Sequence, residues 1–425
     1  MSSSLLILLW VASLGADRLD LLGGRGPILL LPFQVLTALV VFTEWRRRLR
    51  GGRWPAISAE AWTFIALVLG LLALMALSVL RSADVAVSLG RAALLGATAV
   101  GVPLAVWGMA DRSDMLAILA RGARWGLVVA VVFNALALLS LLGAAPGEFV
   151  FGAASVNAEP SMYGVIPRLS GAASDMNRGG LMALLHAVLV ALDRPAKRGQ
   201  LAWVLLGLFL ALGSLSRSVY LAAAPVVLLL PRFMEQRSRA AWPRAAAVVL
   251  AAVAVFAAVL LQPNIRESVA ESAAPLAARF SLQEGSSQAH AFLFSRAVSV
   301  ATSDVTTTLL GIGVGTSFRV LADFFAGNPY GNFHSTWLTL WVESGIFAAL
   351  VALALVLLPL RRAGPLRGVL LGLALYNGFY NGLGEPLFWV MLALAWLAPQ
   401  LLVPPRDASQ QLAAQAPTTA GAPSV

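Results

Sequence analysis

The sequence predicts an all-α protein, a polytopic bundle that crosses a membrane about twelve times and carries a large, partly helical external loop. Of 425 residues, 59% are hydrophobic and only 12% are charged, and the mean hydropathy is +0.82. Soluble domains carry about 25% charged residues. Apolar runs long enough to cross a bilayer core of about 30 Å recur along the chain. Basic residues concentrate in every second loop between these runs.

The apolar runs define the expected spans in chain order. They lie near residues 4–22, 27–44, 61–80, 87–109, 116–142, 179–193, 200–216, 218–231, 245–262, 335–359, 368–382 and 386–403. The first run follows Met-Ser-Ser-Ser and lacks the basic segment that precedes the apolar part of a signal peptide. We therefore expect it to be retained as a span.

The distribution of basic residues predicts the orientation. Alternate loops hold 19 of the 30 arginines and lysines, counted with Arg406 in the tail; these loops are 46–53, 112–124, 194–198, 232–244 and 361–367. Cytoplasmic loops of membrane proteins are enriched in these residues. Both termini are therefore expected in the cytoplasm.

The nearly continuous apolar run from Gln200 to Leu230 is interrupted only by Gly-Ser-Leu-Ser-Arg at 213–217. One helix of this length would extend about 46 Å, more than a bilayer core requires. The basic loops on both sides must lie on the same face, so we expect two short helices with Arg217 at an external hairpin tip.

The expected domain organisation is a membrane domain over residues 1–403 and a disordered cytoplasmic tail over 404–425, which is rich in Ala, Pro, Gln, Ser and Thr. Two large loops, about 143–178 and 263–334, are placed outside. In the second loop we expect an amphipathic helix at Ala289–Val300, a glycine turn at 311–315 and another helical piece at Thr316–Phe325.

Several classes of function are disfavoured. The net charge of +10 comes from arginines interspersed with apolar runs, which orientation in a membrane explains better than nucleic-acid binding does. The chain has no cysteine and therefore no thiolate nucleophile or sulfur-ligated metal. The external loops show no metal-ligand spacing. We expect chemistry that needs neither a metal nor a cofactor.

His334 is the strongest candidate for a proton acceptor, because it stands where the external loop meets an apolar run. In a helix it would share a face with Trp337 and Trp341. Nearby arginines would hold its imidazole neutral. Glu343 would point to the other side, about 13 Å deeper, and is either a functional intramembrane carboxylate or a hydrogen-bonding anchor for this span. His290, within the loop, and His186, in mid-span, have weaker claims.

Four arginines, Arg168, Arg178, Arg217 and Arg296, are candidates for binding a lipid diphosphate. Each lies next to an apolar helix end or on an amphipathic face. A guanidinium can hold a diphosphate through paired charge-assisted hydrogen bonds and keeps its charge in a dry site. Structural salt bridges with the external acids are the alternative for each of them.

Four motifs resemble those of the O-antigen ligase and O-antigen polymerase superfamily. His334-Ser-Thr-Trp-Leu…Glu343-Ser-Gly345 resembles its His-Asn-x-x-Leu…Glu-x-Gly pattern, with serine in place of asparagine. Ser216-Arg217 is similar to its Ser-Arg-Gly turn, again with serine at the third position. Gly171…Asp175-Met-Asn177-Arg178 is similar to its Gly…Asp-Pro-Asn element, and the Gly-x-Gly at 311–313 is similar to the pair that precedes the family's histidine.

The resemblance implies a metal-independent, inverting membrane glycosyltransferase of the GT-C type. Such an enzyme takes a glycan from undecaprenyl diphosphate on the periplasmic side of the bacterial inner membrane, in lipopolysaccharide biosynthesis. Carried over by position, His334 matches the family's proposed base. Arg217 and Arg296 match arginines implicated in binding the diphosphate, and Arg168 and Arg178 match less closely. Glu343 and Asn177 are expected to have structural or supporting roles.

Two alternatives to a ligase stay open at this point. A ligase passes the glycan to the lipid A core, whereas a polymerase of O-antigen or exopolysaccharide joins lipid-linked repeat units. A transporter of a lipid-linked oligosaccharide or other solute would be expected to have paired repeats with broken helices and polar groups at mid-membrane. Here the polar candidates concentrate on one external face.

Overall fold

The computed structural model describes residues 2–21, 31–51, 57–151, 154–157, 159, 161–163, 166–193, 199–229, 285–324 and 331–398. This part of the chain is predominantly helical, as predicted. Its helices are α1 Ser3–Ser13, α2 Pro32–Gly51, α3 Ala59–Val79, α4 Val85–Met109, α5 Met115–Leu141, α6 Met176–Ala191, α7 Gln200–Gly213, α8 Arg217–Leu229, α9 Gly285–Ala301, α10 Val305–Leu310, α11 Ser317–Val320, α12 Thr336–Ser344, α13 Ile346–Leu357, α14 Arg367–Phe379 and α15 Pro386–Leu397.

The protein is a helical membrane protein, but the count of twelve spans stays a prediction. Among the described residues, α3, α4 and α5 are long and apolar enough to cross a membrane. Several other helices are apolar but shorter; they are α1, α6, α7, α8, α13 with its 3-10 extension, and α15. The expected ninth span at 245–262 and the tail from residue 404 lie outside the described residues.

Helices α6 and α15 lie in the interior of the bundle. Every residue from Pro386 to Trp396 of α15 is buried, and so is every residue from Gly179 to Ala191 of α6. Helix α6 packs on α5 and α7, whereas α15 packs on α3 and α4. A Cβ atom on Gly179 would lie 1.9 Å from the carbonyl oxygen of Ser170, so only glycine permits this approach.

The segment predicted as an irregular external loop at 143–178 contains short strands. Its strands, with one from the segment before α2, are β1 Leu19–Asp20, β2 Glu148–Phe151, β3 Ala154–Asn157, β4 Ser161–Tyr163 and β5 Ile166–Arg168. Strand β3 pairs antiparallel with β1 and β2, and β4 pairs with β5. The prediction missed them because strands this short have no period that distinguishes them from loops.

Two further expectations about helices were wrong. The apolar run expected as one span at 335–359 consists of α12 and α13, which are separated at Gly345 with φ +85°. A Cβ atom there would lie 1.9 Å from the carbonyl oxygen of Leu309, so the loop packs into the break. The helical piece expected over Thr316–Phe325 is the four-residue helix α11.

Candidate active site

His334 lies immediately before α12 and not within it. Ser335 is the N-cap residue, and its hydroxyl accepts a hydrogen bond from the backbone N–H of Leu338. His334 has φ +50°, and its backbone N–H donates to Asn332 Oδ1 at 2.8 Å. The prediction that His334 shares a helix face with Trp337 and Trp341 is therefore wrong. Ser335 caps the helix, and α12 begins at Thr336, after His334.

Two aromatic rings flank the imidazole of His334. The ring of His290, on α9, lies 5.3 Å away between centroids and is nearly perpendicular at 82°. The ring of Tyr380, directly after α14, lies at 6.1 Å and 73°. His290 had only a weak claim from its position in the loop, and the structure places it beside the candidate base.

Burial lowers the pKa of His334 below its ordinary value of 6.5, and the charge of Asp175 opposes this shift. Asp175 is the N-cap of α6 and accepts hydrogen bonds from the N–H groups of Asn177 at 2.7 Å and Arg178 at 3.1 Å. The imidazole is therefore neutral at pH 7 and able to accept a proton. Burial is the main cause, whereas the sequence prediction assigned this effect to arginines.

We expect Asp175→Asn to move the acidic limb of the kcat profile to lower pH. A base acts in its neutral form, above its pKa, and removing the carboxylate lowers the pKa of His334 further, so the active range widens on the acidic side. Asparagine also caps helices well. The measurement is the pH dependence of glycan transfer. Asp304→Asn is the control, because Asp304 caps α10 in the same way; an unmoved or raised limb in Asp175→Asn would contradict the coupling.

Arg178 and Asn177 lie in the first turn of α6, directly after Asp175. Arg178 forms ion pairs with Asp17 and with Glu385, to whose Oε2 its Nη2 donates at 3.3 Å. Asn177 Oδ1 accepts a hydrogen bond of 2.6 Å from the Ser216 hydroxyl, which ties α6 to the turn before α8. Two carboxylates already compensate the charge of Arg178, which favours a supporting role over the predicted binding of diphosphate.

Arg168 and Arg217 meet at the turn between α7 and α8. The buried guanidinium of Arg168 donates to the carbonyl oxygens of Ser214 at 2.8 Å and Leu215 at 3.1 Å, and thereby supports this turn from within. Arg217 is the first residue of α8, and its Nη1 donates to Ser287 Oγ on α9 at 2.6 Å. The predicted division into two helices around 213–217 is confirmed.

Arg296 lies on α9, exposed, about 9 Å along the axis from His290 and about 120° around it. Its Nε donates to the carbonyl oxygen of Val320 at 3.4 Å. The described contacts therefore connect Arg217, His290 and His334 through one face of α9 and hold Arg296 on another face.

Glu343 anchors the glycine turn to the end of α12. Its Oε2 accepts from the backbone N–H of Gly315 at 2.7 Å, and its Oε1 accepts from the N–H and hydroxyl of Ser317 at 3.1 and 2.6 Å. The N–H groups of Ile312 and Gly313 donate to the carbonyl oxygens of Val342 and Glu343. These contacts favour the anchoring alternative, with the partner in the loop.

Sequence reasoning did not single out the end of α14 as part of this site. Asn377 is buried and accepts a hydrogen bond from the Thr336 hydroxyl at the start of α12, and the N–H of Gly382 donates to both side chains at 3.0 and 3.1 Å. Tyr380, the next turn of the chain, reaches His334. The sequence indicates these residues only weakly, because they are single polar side chains within an otherwise apolar run.

His186, the histidine expected in mid-span, lies within α6 and away from His334. It is buried in α6, and its Nε2 lies 3.2 Å from the carbonyl oxygen of Val11 in α1. It therefore connects two helices. Across the described ranges, no group of three or more His, Asp or Glu side chains is arranged to hold a metal ion.

Together these observations define a helical membrane protein in which helix α9 packs beside the imidazole of His334 and contacts Arg217 at the start of α8. Residues 202–353 match the Wzy_C family model, described as O-antigen ligase. This match agrees with the resemblance to the O-antigen ligase superfamily that the motifs predicted. The matched segment contains Arg217, Arg296, His334 and Glu343. No curated protein matches the chain.

Proposed function

We propose that this protein transfers a glycan from undecaprenyl diphosphate to a carbohydrate acceptor at the periplasmic face of the bacterial inner membrane, with the lipid A core as acceptor. The observation that carries the proposal is the position of His334 and Arg217. Both lie within the matched O-antigen ligase segment, and both contact α9. In this proposal residues 1–403 form one membrane domain, both termini are cytoplasmic, and the tail at 404–425 is disordered.

The proposed reaction is an inverting displacement at the anomeric carbon of the donor sugar. The neutral imidazole of His334 accepts the proton of an acceptor hydroxyl, and the oxygen forms a bond to the anomeric carbon on the face opposite the leaving group. The bond from that carbon to the diphosphate oxygen breaks, and its electron pair leaves with undecaprenyl diphosphate. No metal takes part in this scheme.

Arg217 and Arg296 stabilise the departing diphosphate in this scheme. Arg217 is the more strongly supported of the two, because it is the first residue of α8, where the helix dipole also favours an anion. A guanidinium that already points along a fixed hydrogen bond requires little reorganisation as charge develops. Arg168 and Arg178 hold the turn and α6 in place around it.

The same pocket could join two lipid-linked repeat units, which is the polymerase alternative within the family. Purified protein in lipid, supplied with a lipid-linked repeat unit and with or without lipid A core, separates the two. A ligase yields one glycan on the core and nothing without it, whereas a polymerase lengthens the lipid-linked glycan without the core. Recovery of unaltered donor under both conditions would contradict both reactions and favour the transporter alternative.

A further inference from the structure

Helix α9 contacts both groups that the proposed reaction requires. Ser287 Oγ accepts the 2.6 Å hydrogen bond from Arg217 Nη1, and the ring of His290 lies 5.3 Å from the ring of His334. Ser287 and His290 are three residues apart, so they lie on adjacent positions of one helix face, about 4.5 Å apart along the axis. One helix therefore contacts both the candidate base and the arginine that is proposed to stabilise the departing diphosphate.

The side of α9 that carries His290 is also packed against the segment that carries His334. Leu293, Ala297 and Ala301 are buried and belong to one cluster with Phe333, Leu338 and Val342. Phe333 directly precedes His334, and the other two lie on α12. Because packed interiors resist small displacements, α9 and His334 form a unit whose relative position is set by this cluster.

We propose that Ser287 and His290 are positioning residues, through which α9 sets the distance and orientation between the guanidinium of Arg217 and the imidazole of His334. Ser287 directs the guanidinium by its hydrogen bond. His290 limits the rotation of the His334 ring, with Tyr380 on a second side. Neither residue touches the reacting atoms. The inference rests on the proposed function, since it matters only if His334 and Arg217 act on one substrate.

The contact chemistry predicts a different kinetic signature for each residue. Ser287→Ala removes the hydrogen bond that Arg217 Nη1 donates to α9. We expect the KM for the lipid-linked donor to rise about tenfold with a smaller change in kcat, because a hydrogen bond to a charged group is lost. His290→Ala frees the base, and we expect kcat to fall about tenfold with the donor KM little changed. His290→Phe retains a ring, so we expect it to restore most of the kcat.

The test compares these variants with Ser295→Ala under the same transfer assay. Ser295 is exposed on α9, and its hydroxyl donates to the carbonyl oxygen of Phe292 in the same helix at 2.9 Å, so we expect wild-type kinetics. Wild-type kinetics in Ser287→Ala and His290→Ala as well would overturn the inference. A fall in apparent kcat that disappears when the rate is divided by the folded fraction of enzyme, with KM unchanged, would also overturn it, because it indicates a purely structural role.

A His334→Ala variant in the same series separates this inference from the proposed function. If His334→Ala transfers glycan at the wild-type rate, the assignment of the base fails, whatever the α9 variants do. If His334→Ala is inactive while Ser287→Ala and His290→Ala behave like Ser295→Ala, only the positioning role of α9 fails.

Discussion

His334→Ala is expected to lower the rate of glycan transfer by about 10²- to 10⁴-fold, the usual contribution of a positioned general base. The acceptor hydroxyl must lose its proton as it attacks. Among the described residues, His290 is the one other imidazole close to His334. Binding of the lipid-linked donor should be retained, because the diphosphate is held by the arginines. The measurement is single-turnover transfer by purified protein in lipid, beside donor binding on the same preparation.

Retained binding with lost transfer is the informative pattern for His334→Ala. His334→Gln is the companion variant, since it keeps a hydrogen-bonding side chain but has no basic nitrogen, and it should be equally impaired. Transfer at the wild-type rate in either variant would contradict the role of the base. Loss of donor binding together with transfer would instead assign His334 to the diphosphate.

Arg217→Lys is expected to reduce transfer by about 10²-fold and Arg217→Ala by up to about 10³-fold, in the range seen when one donor to a developing anion is removed. Lysine keeps the positive charge but cannot present two parallel N–H groups to the diphosphate. It also cannot reproduce the guanidinium geometry that meets Ser287. Transfer rates and donor KM values measure both losses.

Arg319→Lys is the matched control for Arg217. Arg319 lies on α11 and forms an ion pair with Asp84, to whose Oδ2 its Nη2 donates at 2.8 Å. Lysine can replace arginine in an exposed ion pair of this kind with little loss of stability. We therefore expect nearly wild-type transfer. An Arg217→Lys variant as active as Arg319→Lys would show that a point charge suffices and that the bidentate geometry is unimportant.

The helical character and the candidate base were predictable from the sequence, because both depend on local patterns. Apolar runs of bilayer length indicate helices independently of the segments that pack on them. A histidine at the end of such a run can be recognised from the sequence alone. The two departures in the same region were also local in origin. Ser335 begins α12 after His334, and Gly345 with φ +85° divides the run, yet neither residue type identifies its own backbone conformation.

The set of residues around His334 could not be predicted, because it depends on contacts between segments far apart in the chain. His290 and His334 are 44 positions apart and meet only because α9 packs on α12. Arg178 and Arg217 were both candidates for binding the diphosphate in the sequence. The fold places Asp17 and Glu385 on Arg178, whereas it directs Arg217 to α9. The arginine side chain indicated that both residues could bind an anion. Their tertiary contacts distinguish the role of Arg178 from that of Arg217.

The central claim is that His334 and Arg217 act on one substrate in one pocket. The most direct measurement is a double-mutant cycle on single-turnover transfer, with His334→Gln, Arg217→Lys and the combined variant. Groups that act together in one chemical step lose their contributions non-additively, so we expect the combined variant to be about as slow as the slower single variant. If the fold-losses of the two single variants multiply to give the fold-loss of the combined variant, the account is contradicted, because the two side chains then act independently.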